Sequence, residues 1–445
     1  MLSDFARMYV TYGYVLCKHR YKTTICKAKR KVGKLLIGNL KNPSRGASVI
    51  FERMHFRYLL NSIWAVPLVL VIRGIRPSVL VRMGSLSYGR IGHFVCDGVE
   101  QLARLQEQPP RTVDWFWLGK TCNSQWERMI RRSLRVHDWV KYLDRWNRGL
   151  PGGSAHERPT SYTMSRDVEG LCTRYNVKMP FLPEETDEAL EWLRSKGWKD
   201  GEPFFCLIVR DDEYLASEPL HSERAFQSVD AWSYHDYRNS DIDTYIPAIK
   251  WLVAQGVWVI RMGKFMAKPL PSRMDRVIDY AFDAEKSDLL DIWLFANCTG
   301  CISTATGPDQ ISLIYGREAL FVNAMPLSLS FSWAQSLWVP KTLRWGATGQ
   351  NLSVSEYLVN GWLTTSDYGM AGIEIVDLTA DEITSAVQEF WQRHSKTWRD
   401  TVDDEQRQLA YRSIFSEWSG FSQYNGWLHP DARVGTEWLR SVAVC

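Results

Sequence analysis

The sequence contains no apolar stretch long enough to cross a membrane as a helix. Its longest uncharged and mostly apolar run extends from Tyr58 to Ile72 and includes Pro67, whereas a spanning helix needs about 20 such residues. A secretory signal is also missing, because the amphipathic start and the long basic stretch differ from the short charged start of a signal peptide. We therefore expect a cytoplasmic protein without a membrane span.

Disulfide and metal frameworks are missing as well. The nine cysteines are odd in number and irregularly spaced, which fits a reducing compartment better than secretion. One CxxC, from Cys298 to Cys301, has no second pair and no nearby histidine, whereas structural zinc needs four ligands. We predict no metal site.

The overall composition is that of a globular protein. With 45% hydrophobic and 23% charged residues among 445, disorder and coiled coil are excluded, and two or three domains are possible.

Acidic residues are absent from Phe5 to Phe51, where eleven lysines and arginines occur. The first 51 residues carry +10, which leaves −6 for the rest of a chain with a formal charge of +4. A basic arm beside an apolar run that contains Trp64 is typical of interfacial insertion into anionic lipid. We predict an anionic membrane surface as partner, no nucleic acid, and a peripheral or monotopic location at the inner face of the membrane. A buried helix behind a solvated arm, and an RNA-binding arm, remain alternatives.

Strand-like and helix-like segments alternate over most of the remaining chain. In the first half, a β-rich run at 78–83 leads through glycines into a helical pattern at 94–105, as at the opening of a Rossmann-type unit. The second half begins with the continuous apolar run 204–209, typical of a strand buried in a parallel sheet. This alternation predicts an α/β fold with two doubly wound Rossmann-like domains. We divide the chain into a membrane-associating segment (1–76), an N-terminal Rossmann-like domain (77–190), a C-terminal Rossmann-like domain (191–370) and a helical tail (371–445).

Polar residues follow the predicted strands in both halves. Ligands of open parallel sheets bind beyond the carboxyl ends of the strands, so these positions are the candidates for a binding site. Several are cations and others stand at helix starts, a combination that suits phosphate or diphosphate oxygens. Ordinary turns and helix caps are the alternative interpretation. The candidates are Gly89, Arg90, Gly92 and His93 in the first half, and Arg210, Asp211, His235, Arg238, Asn239, Arg261, Gly263, Lys264, Ser303, Thr306, Gly307, Pro308 and Asp309 in the second.

The usual nucleotide motifs are missing. The glycines at 89 and 92 lack the GxGxxG spacing of NAD sites, and no GxxxxGK[ST] occurs. His93 stands at a helix start, where the dipole disfavours its cationic form, so it is a candidate general base. Asp97, one turn later, is a candidate to orient His93 or to be the base itself. The DxD from Asp241 to Asp243 follows Ser240 at a helix start, and we interpret it as capping.

Three blocks of sequence resemble a group of bacterial glycosyltransferases found with surface-polysaccharide genes. The blocks are 234–241 (YHDYRNSD), 259–263 (VIRMG) and 303–309 (STATGPD), and the loop 89–93 (GRIGH) is similar to the first-domain loop of that group. The resemblance extends from Ser78 to Pro326. The Ser/Thr-rich turn into Gly307 is more distantly similar to the nucleotide-sugar site of heptosyltransferase-like enzymes.

The resemblance implies the GT-B architecture, in which two Rossmann-like domains face a cleft. The first domain would contact the acceptor, a surface-polysaccharide or lipid-linked glycan, and the second would bind a nucleotide-sugar donor. It implies a metal-independent glycosyltransferase that needs no cofactor besides this donor. The residues assigned in this scheme are Arg238, Arg261 and Gly307 for the phosphates, Arg210 and Asp211 for the donor side, and His93 or Asp97 for deprotonation of the acceptor.

Two other functions fit the same architecture. A nucleotide-sugar epimerase would interconvert free nucleotide sugars without an acceptor, although a basic, apolar N-terminus serves no purpose in such an enzyme. A non-catalytic, membrane-bound subunit of polysaccharide assembly is the other alternative. Fold alone does not decide among these functions.

Overall fold

A computed structural model describes residues 45–160, 166–217 and 235–444. Most of the predicted basic arm lies outside the described residues. The segment 65–445 forms one compact unit, and its helices and strands are given below in chain order.

The first α/β layer is smaller than the predicted Rossmann-like domain. Its strands β1 and β2 are parallel, with Leu80 opposite Thr112, and single parallel bridges at Glu157 and Val136 widen the sheet on either side. Side chains of β2 alternate between buried and partly buried, because successive residues of a strand point to opposite faces. The elements of this layer are α1 (Arg45–Gly74), β1 (Leu80–Ser85), α2 (Ile91–Arg104), β2 (Thr112–Trp117), α3 (Ser124–Ser133) and α4 (Val140–Gly149).

The second layer is a seven-stranded, entirely parallel sheet, as the alternation of strands and helices predicts. Its order is β11-β8-β7-β6-β3-β4-β5. The chain thus builds outward from β3 in one direction through β4 and β5, and then in the other from β6. The elements up to β7 are α5 (Leu171–Tyr175), α6 (Pro183–Ser195), β3 (Phe204–Ile208), α7 (Glu213–Ser217), α8 (Ile246–Ala254), β4 (Trp258–Arg261), β5 (Val277–Ile278), α9 (Asp288–Asn297), β6 (Gly300–Ser303), α10 (Asp309–Ile314) and β7 (Glu318–Val322).

Strand β3 is at the centre of this sheet and is covered on both faces. All five of its residues are buried, as expected for an apolar strand between two layers of helices. On one face, the ring of Phe205 lies 5.6 Å from that of Phe390 in the C-terminal segment. On the other face, the thiol of Cys206 interacts with that of Cys298, next to α9.

The C-terminal segment is an integral part of the second layer, which corrects the predicted separate helical tail at 371–445. Strand β11 pairs in parallel with β8 at the edge of the main sheet, and β10 pairs in antiparallel with β9. Two residues of strand are too few for a periodic signal in the sequence. The elements of this segment are β8 (Ser336–Val339), β9 (Thr342–Trp345), α11 (Val354–Val359), α12 (Thr365–Met370), β10 (Ile373–Val376), α13 (Ala380–His394), α14 (Val402–Glu417), α15 (Phe421–Tyr424), β11 (Arg433–Val434) and α16 (Thr436–Ser441).

The part of α1 from Ala65 onward belongs to the compact unit. This part packs against the first layer by one face and exposes the other. Ala65, Val69 and Ile72 are buried against the first layer, whereas Leu70 and Val71 are 56% and 58% exposed. Within the described ranges, no helix is both long and apolar enough to span a bilayer.

Candidate active site

A cavity of about 550 Å³ lies where the sheet topology reverses. The reversal falls between β3 and β6, which are neighbours in the sheet, and the residues that follow both strands line the cavity. Such a crevice beyond the carboxyl ends of the strands is the usual ligand site of a doubly wound sheet. Twelve of the predicted site residues line it, namely Arg90, Gly92, His93, Arg210, Asp211, His235, Arg238, Gly263, Lys264, Thr306, Gly307 and Pro308.

Arg210 leaves the end of β3 and is fixed to the neighbouring strand end. Its backbone N–H donates to Oγ1 of Thr304, just beyond β6, at 2.9 Å, and its carbonyl oxygen accepts from the N–H of Ser240 at 3.0 Å. Its Nε donates to Oδ1 of Asn239 at 3.3 Å. These bonds join the loops after β3 and β6 into one rim of the cavity.

Arg238 lies against the other side of the same rim. Its guanidinium donates to the carbonyl oxygen of Ala305, which has a left-handed φ of 58° that non-glycine residues adopt at a cost. Its Nε is buried and has no hydrogen-bond partner among the described residues. A buried N–H of this kind is costly unless a ligand accepts from it.

Arg166 is a buried cation in the cavity wall that no sequence pattern predicts. Its guanidinium donates to the carbonyl oxygens of Ser330 at 3.1 Å and Tyr424 at 3.4 Å, and also to that of Leu329. It forms no ion pair with any carboxylate of the described residues. Burial and the nearby Arg238 lower the pKa of Arg166 to about 10, so it stays cationic at neutral pH.

His235 lies among these arginines. Burial, reinforced by the positive charges of Arg238, Arg210 and Arg90, lowers the pKa of His235 to about 3. The imidazole is therefore neutral at physiological pH. An anion bound in the cavity would oppose this shift, since it favours the protonated ring.

The cavity carries an excess of positive charge. Four arginines and Lys264 line it, against the two carboxylates of Asp211 and Asp291. Asp211 is occupied by the backbone, because it accepts from the N–H groups of Glu213 at 3.2 Å and Ala267 at 2.9 Å. This excess, at helix and strand ends, suits a ligand with phosphate groups.

Helix α2 presents its N-terminus to the cavity from the first layer. Arg90 is its N-cap and forms no side-chain cap, and the first-turn residues Ile91, Gly92 and His93 all line the cavity. The N–H groups of this first turn point towards the helix start, and with the helix dipole they add positive potential there. The first layer therefore contributes to the same anion-binding region as the second.

Asp97, predicted as a possible base, does not line the cavity. It is fully buried, and both of its carboxylate oxygens accept from the guanidinium of Arg158 at 2.9 Å. The backbone N–H of Ser87 donates to it at 2.7 Å. Asp97 thus ties α2 to the loop after β1 and to Arg158. This position outside the cavity argues against a role in proton transfer.

Arg261, predicted as a phosphate ligand, is also absent from the cavity wall. It is fully buried, it donates to Asp279 at 3.2 Å, and its guanidinium lies 5.3 Å from the centre of the Phe282 ring. Arg261 is the last residue of β4, and strand alternation turns it away from the cavity, whereas its neighbour Met262 lines the cavity.

Ser303 and Asp309 support the rim from below. The Ser303 hydroxyl donates to Asp309 at 2.7 Å, and the N–H of Thr306 donates to the same carboxylate oxygen at 2.6 Å. Burial raises the pKa of Asp309 to about 6. Ser303 and Asp309 therefore do not line the cavity as predicted; they hold the 303–309 loop in place by hydrogen bonds within it.

The remaining predicted residues, Gly89 and Asn239, lie outside the cavity wall, and Asn239 binds Arg210 and Lys341.

Of the two motifs discounted above, the DxD behaves as predicted. Asp241 accepts from the backbone N–H of Asp243 at 3.0 Å, and Lys268 pairs with both carboxylates at 2.8 and 2.6 Å, so the DxD caps a turn. Cys298, just after α9, and Cys301, in β6, are buried free thiols. In the described part of the chain, no cluster of three or more His, Cys, Asp or Glu side chains is placed to hold a metal ion.

No protein-family model matches this chain, and no curated protein matches it. Among solved structures, a glycosyl transferase family 9 protein from Veillonella parvula is similar over 58% of this chain and 86% of its own, at 11% identity and a TM-score of 0.36. The E. coli ADP-heptose lps heptosyltransferase II is similar over 71% of this chain and 100% of its own, with the same identity and score. The E. coli heptosyltransferase WaaC with ADP covers 71% and 99%, at 11% identity and 0.30. Scores of this size do not establish a common fold.

Proposed function

We propose that this protein is a glycosyltransferase that moves a sugar from a nucleotide-sugar donor to a surface-polysaccharide or lipid-linked glycan acceptor. One observation carries the proposal: Arg166 and Arg238 line a cavity at the switch point of a parallel sheet, and neither forms an ion pair among the described residues. A buried cation, Arg166, and a half-buried one, Arg238, whose Nε is buried, are costly without carboxylate partners. A diphosphate would compensate for both.

The donor would lie with its diphosphate against the arginines and the start of α2. Arg238 and Arg166 would contact the phosphates from the second layer, and Arg90 would do so from the first. Arg210, His235 and Lys264 lie on the same wall. In the GT-B architecture that the sequence resemblance implies, the donor would likewise lie between two α/β layers.

Transfer would proceed by attack of an acceptor hydroxyl on the anomeric carbon, with loss of the nucleoside diphosphate. Negative charge grows on the leaving phosphate in the transition state, and fixed cations in a partly desolvated site stabilise it. The guanidinium of Arg238 contacts the 303–309 rim directly, since it donates to the carbonyl oxygen of Ala305. Of the two residues predicted to accept the proton, His93 lines the cavity.

Metal independence is part of the proposal, because the arginines supply the charge that a divalent ion supplies in other transferases. Turnover should therefore be unchanged by EDTA. Activity that disappears with EDTA and returns with Mn²⁺ would contradict it.

Membrane association of residues 1–76 is a second part of the proposal. The exposed apolar side chains of Leu70 and Val71 on α1, and of Ile75 just after it, would insert at the lipid interface beside the basic arm. The full chain should sediment with vesicles that contain phosphatidylserine, and Leu70→Glu with Val71→Glu should weaken this. Unchanged sedimentation of the double variant would exclude this face of α1.

The transferase itself is tested by release of free nucleoside diphosphate. Purified protein is incubated with UDP-glucose, GDP-mannose or ADP-glucose and with membrane extract as acceptor source, and diphosphate release and sugar incorporation are measured. Arg238→Ala should abolish both while the protein stays folded. Arg317→Ala is the matched control, since Arg317 also donates to one backbone carbonyl, that of Ala296 at 2.7 Å, outside the cavity.

Three outcomes would overturn the proposal. Wild-type rates in Arg238→Ala would show that the cavity is not the donor site. Conversion of one nucleotide sugar into another without diphosphate release would indicate an epimerase. Absence of nucleoside diphosphate binding by calorimetry would favour a non-catalytic subunit.

A further inference from the structure

Asp291 is a carboxylate of the cavity wall that lies in the first turn of α9. Acids in a first turn often serve the helix itself. Here that role is taken by Ser287, which caps α9 by accepting from the N–H of Leu290 at 3.1 Å. The carboxylate of Asp291 instead accepts from the hydroxyl of Tyr280 at 2.8 Å.

Asp291 has no ion-pair partner among the described residues. Burial raises the pKa of Asp291 to about 6, and the hydrogen bond from Tyr280 acts in the opposite direction. A partly buried carboxyl group that titrates near neutrality inside a ligand cavity has the properties of a general acid or base. The structural acid Asp97, by contrast, lies outside the cavity and is paired with a cation, Arg158.

The charged groups around Asp291 come from several elements. On α9 itself, Asp288 raises its pKa, and the ammonium groups of Lys264 and Lys286 on nearby loops lower it. Helix α2 and the loop before α3 bring His93 and Cys122 to the same cavity. The groups on the other neighbouring helices are occupied elsewhere: Lys196 after α6 pairs with Asp283 and Glu285, and Asp309 of α10 accepts from Ser303.

Tyr280 fixes the orientation of the carboxylate. It is fully buried, its ring packs edge-on against Trp192 with centroids 5.4 Å apart, and its hydroxyl accepts from the N–H of Ser287 at 3.2 Å. With one backbone donor already bound, the single hydroxyl proton is available to the carboxylate or to the carbonyl oxygen of Ser287 at 3.1 Å. Tyr280 is therefore a positioning residue for Asp291.

We propose that Asp291 is the general base that deprotonates the acceptor hydroxyl. This inference rests on the proposed transferase function. The acceptor oxygen forms a bond to the anomeric carbon while the bond from that carbon to the phosphate oxygen breaks. The hydroxyl proton passes to the Asp291 carboxylate, and the leaving nucleoside diphosphate takes the electron pair. The step needs no other reactant.

The test uses the full chain with the donor on which the wild type releases most diphosphate. Asp291→Asn should reduce turnover by about 10²- to 10⁴-fold, the usual contribution of a general base. It should leave the dissociation constant for the matching nucleoside diphosphate within about threefold, since the arginines that would hold the diphosphate are untouched. Asp403→Asn, on the exposed face of α14 with its side chain 70% exposed, is the matched control.

Tyr280→Phe tests whether Tyr280 positions the carboxylate of Asp291 or contributes only to the packing and stability of the protein. The hydrogen bond from Tyr280 lowers the pKa of Asp291, so its loss should shift the acidic limb of the kcat–pH profile to higher pH. In Asp291→Asn this limb should disappear. A protein weakened only in its packing would keep the limb at the wild-type pH.

The outcomes distinguish this inference from the proposed function. If no donor yields diphosphate with the wild type, the transferase proposal fails. If the wild type is active and Asp291→Asn retains its rate, the function stands and Asp291 is not the base. If the acidic limb persists in Asp291→Asn but disappears in His93→Gln, His93 is the base.

Discussion

Gly92 at the start of α2 and Gly307 on the rim after β6 approach each other backbone to backbone. A methyl group on Gly92 would lie 3.0 Å from both the Cα and the carbonyl oxygen of Gly307. This contact joins the first layer to the second beside the cavity. Only glycine permits it, because the opposing atoms are main chain and cannot rotate away.

Gly92→Ala should therefore force the two layers apart. We expect a loss of about 1–3 kcal/mol in the free energy of unfolding, as for overpacking in a tight contact, and weaker binding of nucleoside diphosphates. Urea denaturation and calorimetry measure the two effects. Gly149→Ala is the control, because a methyl group on Gly149 would meet no atom within 4 Å. Equal stability of Gly92→Ala and Gly149→Ala would show that the layers are not held by this contact.

Asp97→Asn should impair folding and not the chemical step. It leaves the guanidinium of Arg158, only 3% exposed, without a charged partner, and breaking a buried pair costs about 3–5 kcal/mol. Urea denaturation should show this loss, while turnover per folded molecule stays near that of the wild type. A variant with wild-type stability and no turnover would restore Asp97 as the base.

Sequence patterns predict most of the second layer, because its central strands and helices are encoded by their own apolar runs and helix caps. The run at 204–209 contains only apolar residues and is a buried central strand, and Ser287 caps its helix as predicted. Strand β11 was missed, since Arg433 and Val434 have no pattern of their own and are a strand only because β8 lies beside them.

Site residues whose place follows from the order of strands and loops can be predicted from the sequence. Site residues that reach the cavity only through tertiary contacts cannot. Arg210 and Arg238 are in the cavity as expected. Arg166 follows no strand, and its carbonyl partners are more than 160 residues away. Asp291 looks like an ordinary first-turn acid until Tyr280 is placed beside it. Arg261 lies outside the cavity wall because strand alternation at the end of β4 turns its side chain away.

Arg166→Ala should weaken binding of nucleoside diphosphates. A hydrogen bond to a charged group contributes about 1.5–3 kcal/mol, so the dissociation constant should rise roughly 10- to 100-fold. Calorimetry with UDP, GDP and ADP measures the change. Arg412→Ala is the matched control, because Arg412 also donates to three backbone carbonyls, those of His429, Pro430 and Ala432, outside the cavity. Equal affinity in the two variants would remove Arg166 from the site.

The stability of the protein should depend on pH through His235. Its pKa is about 3 in the folded chain, against 6.5 for the ordinary group. Between these values the unfolded chain binds one more proton than the folded chain at this residue, so the stabilising contribution of neutral His235 is complete above pH 6.5 and decreases as the pH falls toward 3. His235→Gln should therefore lose less stability than the wild type between pH 6.5 and 4.5, as measured by urea denaturation at each pH.

The difference between variant and wild type isolates this effect from the buried acids. Asp291 and Asp309 have a raised pKa of about 6, so the folded chain takes up their protons first and gains stability as the pH falls from 6 to about 4. That gain is common to both proteins and cancels in the difference. The exposed residue His137 provides the control His137→Gln, which should follow the wild type. If His235→Gln follows the wild type as well, His235 is not held neutral by burial and its arginine neighbours, and the lowered pKa assigned to it is wrong.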